Sequence, residues 1–225
     1  MSRGRRGLDV VRDSIVEVGL VTENGAAFAT VVRPPSIPTE DMGADSVHGI
    51  PGSELRAGPA FATAFARMVS FLEHLQVSTV EYDETDSDAE PQEVKSYGDP
   101  PQILVVAHNG VRFDFAMLAS EVFRSGLDWM PLQRWLYADT LDVFRAASAP
   151  CMKLQCLHKH LAADGSLRAH RALDDAIALR GVAVAQAERY GIGLHQLFAP
   201  FAVGCDVCET MVQEKCLRLS RTHVE

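Results

Sequence analysis

Asn24-Gly25 sets the first constraint on this chain. It stands between residues 13–21 and 26–33, two runs rich in β-branched residues. Asn-Gly between such runs is a strong short-range signal of a β-hairpin, because both residues tolerate the positive φ of a tight turn. A hairpin must bury one apolar face, and the segments C-terminal to it supply helices to cover that face. Four prolines (Pro34, Pro35, Pro38, Pro51) make residues 34–52 a loop. From Ser53 to about Leu75 the pattern is helical: Phe61, Phe65, Met68 and Leu72 recur at spacings of four, three and four. Pro59 falls near the start of that helix, where a missing N–H is tolerated. Ile103 to Ala107 reads as a short buried strand, 113–124 as a helix with Gly126 as its C-cap, and 135–139 as another short strand. Helices are expected at 140–147, at 153–162 with Leu154, Leu157 and Leu161 on one face, and at 171–190. This order predicts a layered α/β domain around a mixed sheet.

The chain has 225 residues and a net charge of −9. That charge is concentrated: between Glu81 and Asp99 there are eight acids and one base, Lys95. Residues 76–101, rich in Ser, Asp, Glu and Pro, therefore read as a disordered surface insertion, and the remainder is nearly neutral and able to carry a local basic surface. No apolar run approaches the roughly 18 residues needed to span a bilayer, and no apolar segment succeeds the basic N-terminus. Five cysteines (Cys151, Cys156, Cys205, Cys208, Cys216), an odd number without an export signal, predict a reducing intracellular compartment, nucleus or cytoplasm, and no disulfide framework.

Two stretches carry chemistry. Ala107-His108-Asn109-Gly110-Val111-Arg112-Phe113-Asp114-Phe115 directly follows a buried strand, and His170-Arg171-Ala172-Leu173-Asp174-Asp175 opens a helix. Together they resemble the second and third motifs of the DEDDh family of 3′→5′ exonucleases, the third reading H-x-A-x-x-D at His170, Ala172 and Asp175. The likeness extends to Asp13–Val21, to Val47-His48-Gly49-Ile50 and to Asp139-Thr140-Leu141-Asp142, and so covers about residues 7–190 with the acidic insertion between.

The resemblance implies a ribonuclease-H-like α/β fold, three layers around a mixed sheet, in residues 1–192, with 193–225 as a C-terminal extension. It implies metal-dependent removal of nucleotides from the 3′ ends of single-stranded DNA or RNA. Phosphodiester cleavage needs a nucleophile and charge stabilisation, which two Mg²⁺ or Mn²⁺ ions about 3.5–4 Å apart can supply. Such hard cations take oxygen ligands. On this pattern Asp114 and Asp175 are metal ligands and His170 is the general base, an imidazole being suited to proton transfer near neutral pH. Five residues of helix turn through about 140°, so His170 and Asp175 converge only if His170 lies in the lead-in to the helix. Asp174 neighbours the ligand position without matching it. Asn109 either contacts the nucleotide or holds a turn, while His108, His158 and His160 read as structural or solvated. Asp139 resembles a family position outside the metal ligands.

The first family motif, D-x-E-T-x-G on the first strand, has no counterpart. Gly7-Leu8 and Ile15-Val16-Glu17-Val18-Gly19 fit the family pattern just downstream of that motif, but its two acid positions fall on Ser2 and Gly4. The expectation is a fold lacking its first strand, in a shortened or alternatively started chain or else a pseudo-enzyme, with catalysis lost or weak. Asp9, Asp13 and Glu17 are the nearest acids and are not read as substitutes. There are two alternatives: a non-catalytic nucleic-acid-binding module, or an interaction protein acting through its acidic loop or its cysteine tail. In that tail Cys205, Cys208, Cys216 and His223 form C-x₂-C-x₇-C-x₆-H. This is either a tetrahedral Zn²⁺ site or an amphipathic helix with ordinary cysteines.

Overall fold

A computed structural model describes residues 13–36, 49–77, 103–161 and 171–205. The hairpin forms as its turn chemistry requires. Strand β1 (Glu17–Val21) pairs antiparallel with β2 (Ala27–Val31), Val18 opposite Thr30 and Leu20 opposite Phe28. Gly25 takes φ +91°, a value few other residues accept, and its N–H donates to Thr22 O at 3.0 Å. The Thr22 hydroxyl also bonds to the Asn24 side chain, closing the turn locally.

The single helix expected from Ser53 onwards is two: α1 (Gly52–Ala57) and α2 (Phe61–Val77). Pro59 is the reason. It lies between them rather than inside a first turn, and the residue before a proline is driven out of the helical region. Gly58 accordingly sits at φ −63°, ψ 152°. Phe61, Phe65 and Met68 are buried, as their spacing required, and pack with Val32 from the hairpin. The acidic stretch from residue 78 lies outside the described residues.

Strand β3 (Leu104–Ala107) leads into α3 (Asp114–Arg124), which ends before Gly126 at φ +60°. A short helix α4 (Met130–Gln133), too brief to show periodicity in the sequence, precedes β4 (Leu136–Asp139). β3 and β4 are parallel, Val105 beside Tyr137 and Ala107 beside Asp139. Then come α5 (Thr140–Ala146), α6 (Leu154–Leu161) and the long α7 (Ala172–Tyr190), closed by Gly191 at φ +64°. Helix α8 (Leu194–Phe198) and a 3-10 turn (Ala199–Phe201) carry the chain back to β4, where Val203 exchanges two 2.9 Å backbone bonds with Tyr137. Residues 194–205 are thus built into the domain, with Leu197, Phe198 and Cys205 buried.

The fold class is α/β, as expected. Its sheet is not one continuous ladder among the described residues but two two-stranded pieces, β1–β2 and β3–β4. A shared core joins them: Val18 and Leu20 from β1, and Val105 and Ala107 from β3, pack against one cluster centred on Phe65, Phe115 and Tyr137. Backbone stitching adds to this. The Ile15 N–H donates to Glu121 Oε1 at 3.0 Å, and Arg124 Nη2 donates to Asp13 O at 2.8 Å, tying the entry of β1 to α3. Among the described residues no helix is long and apolar enough to cross a membrane.

Candidate functional site

The site is built where β3 ends. Asn109 turns the chain in the left-handed region, φ 62°, which asparagine tolerates better than most residues. Its carbonyl accepts from the N–H groups of Arg112 (3.2 Å) and Phe113 (3.1 Å), so the turn runs straight into α3. Gly110 is sterically required: a Cβ there would lie 2.6 Å from the Ala107 side chain and 2.8 Å from the Phe115 ring. One buried carboxylate holds this loop in place. Asp139, 6% exposed, accepts the Asn109 N–H (2.8 Å) and the Leu141 N–H (2.9 Å) through Oδ1, and the Val111 N–H (3.3 Å) through Oδ2. Three N–H donors replace the water that a buried carboxylate gives up.

His108 is pinned beside it. Its Nε2 lies 2.9 Å from Met152 O and its Nδ1 lies 2.8 Å from Thr140 Oγ1. A carbonyl only accepts, so Nε2 carries the proton and Nδ1 accepts from the threonine hydroxyl. Burial pushes the His108 pKa down, against the opposing pull of the Met152 bond and the Asp139 charge.

Asp114, the first residue of α3, is exposed, although protein atoms crowd around its carboxyl group. Desolvation raises its pKa. Its own backbone N–H pulls the other way, and the charges of Asp139 and Asp175 add to the rise. That interaction places Asp175 within electrostatic reach of Asp114, although 61 residues separate them in sequence. Asp175 is half-buried in the first turn of α7, its N–H bonded to Arg171 O at 3.0 Å, with Asp174 beside it. Helix α7 begins at Ala172 after an extended Arg171, so His170 precedes it; the position of His170 itself lies outside the described residues.

The seat of α7 explains the rest of the pattern. Glu17 on β1 accepts the Ala172 N–H and Arg171 Nε, both at 2.8 Å, and so caps the N-terminus of α7. Arg171 also reaches Glu54 on α1 at 3.1 Å. Hydrogen bonding to Glu17, more than any other cause, holds the Arg171 guanidinium pKa up. Gly19 lets the helix approach: any Cβ there would collide with the backbone of Ala172 and Leu173. Both oxygens of Glu17 are engaged in this cap. Asp9 lies outside the described residues.

No family model matches the chain, and no curated protein sequence does. Solved structures do match in shape. A full-length 3′-exonuclease superposes with a TM-score of 0.58 at 16% identity, covering 84% of this chain and 77% of that one. The fold is that of the 3′-exonucleases. The nuclease domain of 3′hExo, a DEDDh family member bound to rAMP, gives 0.57 at 16% identity over 79% of this chain and 82% of its own. Exonuclease X, in complex with 5′ overhanging duplex DNA, gives 0.50 at 17% identity over 84% and 92%. On this 3′-exonuclease fold, of the ribonuclease-H type, Asp114 opens α3 and Asp175 lies in the first turn of α7.

The cysteines do not follow the sequence expectation. Cys151 and Cys156 form a disulfide, with Cα atoms 6.3 Å apart, where no disulfide was expected. Composition carries no sign of the way a loop ending at α6 folds one cysteine back onto the other. His160, expected to be solvated, is exposed but stands with them: the ligand atoms of Cys151, Cys156 and His160 all lie within 4.8 Å of one another. Among the described residues no carboxylate trio closes as tightly, so Asp114, Asp139 and Asp175 share a region without meeting at one point. In the tail, Cys205 is buried in the main core; Cys208, Cys216 and His223 lie outside the described residues.

Two residues have roles that the motifs do not announce. Asp139 is no metal ligand in the family pattern, yet Asp-Thr before an apolar helical run is a helix N-cap signal, and it does cap α5. The second is His160, whose four-residue spacing from Cys156 on a helix places both on one face.

Proposed function

We propose that this chain is a metal-dependent nuclease of the 3′→5′ exonuclease type, acting on nucleic-acid 3′ ends. The observation that carries the reading is a 3′-exonuclease fold on which Asp114 opens α3 and Asp175 lies in the first turn of α7, near enough for its charge to act on Asp114. The donor set fits a divalent cation. Asp114 stands near the like charges of Asp139 and Asp175, which a bound cation would offset. The donors are oxygens, which suit Mg²⁺ or Mn²⁺; Mg²⁺ is commonly held by one or two carboxylates together with water and substrate phosphate. When bound, such an ion offsets the charge of the attacked phosphate. Asp114 and Asp175 would hold it, His170 would take the proton of the attacking water, and Asn109 would contact the terminal nucleotide. Among the similar structures, one 3′-exonuclease recognises a histone mRNA stem-loop at its 3′ end, and Exonuclease X holds overhanging duplex DNA. Here the substrate class is a single-stranded 3′ end of either kind.

The test is release of mononucleotides from a 3′-labelled oligonucleotide in Mg²⁺. Release that depends on the ion and is abolished by Asp175→Ala supports the enzyme. A second reading is favoured by Glu17 and Asp139, whose oxygens are engaged with backbone and Arg171. A metal would then rest on Asp114 and Asp175, and a protein so equipped binds strands without cutting them. Oligonucleotide binding of equal strength in Mg²⁺ and in chelator, with no cleavage, would select it.

A further inference from the structure

The cluster at the start of α6 belongs to neither reading. Cys156 and His160 are four residues apart on α6 and therefore on one face. Cys151, in the loop before the helix, folds back so that its sulfur joins theirs. An adjoining face of α6 is anchored: Leu157 is fully buried in a cluster with Phe144 and Val182. Three ligand-bearing side chains are thus carried by a fixed helix and its lead-in loop, with both cysteines half-buried and His160 exposed. A disulfide alone accounts for the two sulfurs but leaves the imidazole beside them unexplained.

We propose that the dithiol form of this cluster is a Zn²⁺ site, with Cys151 Sγ, Cys156 Sγ and a ring nitrogen of His160 as ligands and a fourth position open to water. Two thiolates and an imidazole are the donors zinc prefers, and they reject the hard cations suited to the carboxylate site. The dimensions agree. Zn–S arms of about 2.3 Å in a tetrahedron put two sulfurs about 3.8 Å apart. The present ligand atoms, all within 4.8 Å, need shifts of about an ångström or two to surround an ion, which the loop carrying Cys151 can absorb. The disulfide is then the metal-free state of the same site. A hydroperoxide converts the zinc form into it: the two thiolates give up two electrons and form the S–S bond, the O–O bond takes the electrons and two protons to leave as water and alcohol (two waters for hydrogen peroxide), and Zn²⁺ departs.

The experiment uses the full chain, fully reduced, loaded with zinc and freed of excess by gel filtration, with zinc counted by plasma mass spectrometry. Cys151→Ser/Cys156→Ser should lose one equivalent relative to wild type, while Cys208→Ser/Cys216→Ser keeps it. His160→Ala, an exposed position where folding is not at stake, should weaken zinc at least tenfold in competition with a chromogenic chelator. Cobalt in place of zinc should give a thiolate-to-metal charge-transfer band that disappears in the Cys151→Ser/Cys156→Ser protein. Peroxide should release one zinc for every two thiols consumed. Unchanged zinc content in the Cys151→Ser/Cys156→Ser protein, with wild-type circular dichroism, overturns the proposal; so does wild-type affinity in His160→Ala.

Discussion

At residue scale the site turns on two aspartates that do opposite things. Asp139 commits its carboxylate to three backbone N–H groups and so positions the loop that presents Asp114. Asp139→Ala leaves those donors buried without an acceptor, and a loss of about 3 kcal/mol is expected, read as a lower urea midpoint. Asp114 is held the other way. Its raised pKa means that the folded protein holds this proton to a higher pH than the unfolded chain does. Below the ordinary value of 3.8 both states are protonated and nothing is lost. As pH climbs through the window between that value and the raised one, the unfolded chain releases its proton first, so stability falls. Asp114→Asn removes that penalty. In chelator at neutral pH the variant should melt above wild type, with the gap closing as pH is lowered, while Mg²⁺-dependent cleavage disappears. A variant less stable than wild type at neutral pH would mean that the carboxylate is not the burden described. Asp114 and Asp175 are the candidates that motif spacing selects in the sequence. The loop-holding role of Asp139 is not, because it lies in contacts with residues 109 and 111, about 30 positions away.

At the scale of elements the decisive contact is α7 on β1. Helix periodicity marks α7 in the sequence, and Gly191 marks its end, but where the helix begins to press on the sheet is not visible there. It depends on Gly19 admitting the Ala172–Leu173 backbone and on Glu17 capping the helix through Arg171 and Ala172. Gly19→Ala should push the first turn of α7 outward. Overpacking of this kind costs typically 1–3 kcal/mol, and because the contact is backbone to backbone the upper end is expected. The same shift moves Asp175, so cleavage should fall further than the lowered melting temperature explains. A Gly19→Ala protein that loses stability but keeps full activity would uncouple the seat of α7 from the site. The split of α1 from α2 and the brief α4 are hidden in the sequence for related reasons. A proline such as Pro59 suits the first turn of a helix as well as the gap between two, and four residues are too few for a period to show.

At the scale of the whole molecule, the two strand pairs among the described residues share one core without sharing a ladder, and the hydrogen-bond register says which groups this leaves outward. Val32 N–H donates to Val16 O and Thr22 N–H to Ala26 O, so the even-numbered residues of β1 face β2. Glu17, Gly19 and Val21 then turn their backbone groups away from it. On the other piece Leu136 N–H donates to Ile103 O, which points the odd-numbered residues of β3 at β4 and leaves Leu104 and Val106 facing outward. Backbone groups of this kind are rarely left unpaired when buried, and the strands carrying them are half-buried rather than sealed. Amide exchange reads this directly. Val18, Leu20, Val105 and Ala107 should be protected to nearly the same degree, because each lies inside a ladder. Glu17, Gly19, Val21, Leu104 and Val106 should exchange orders of magnitude faster, alternating residue by residue along both strands. Equal protection on even and odd positions would mean that a further strand pairs with both edges in solution and joins the halves into one mixed sheet. Adding an oligonucleotide or a divalent ion should slow the Asp175 amide in either case, since the first turn of α7 is held by its own cap and not by the sheet edge.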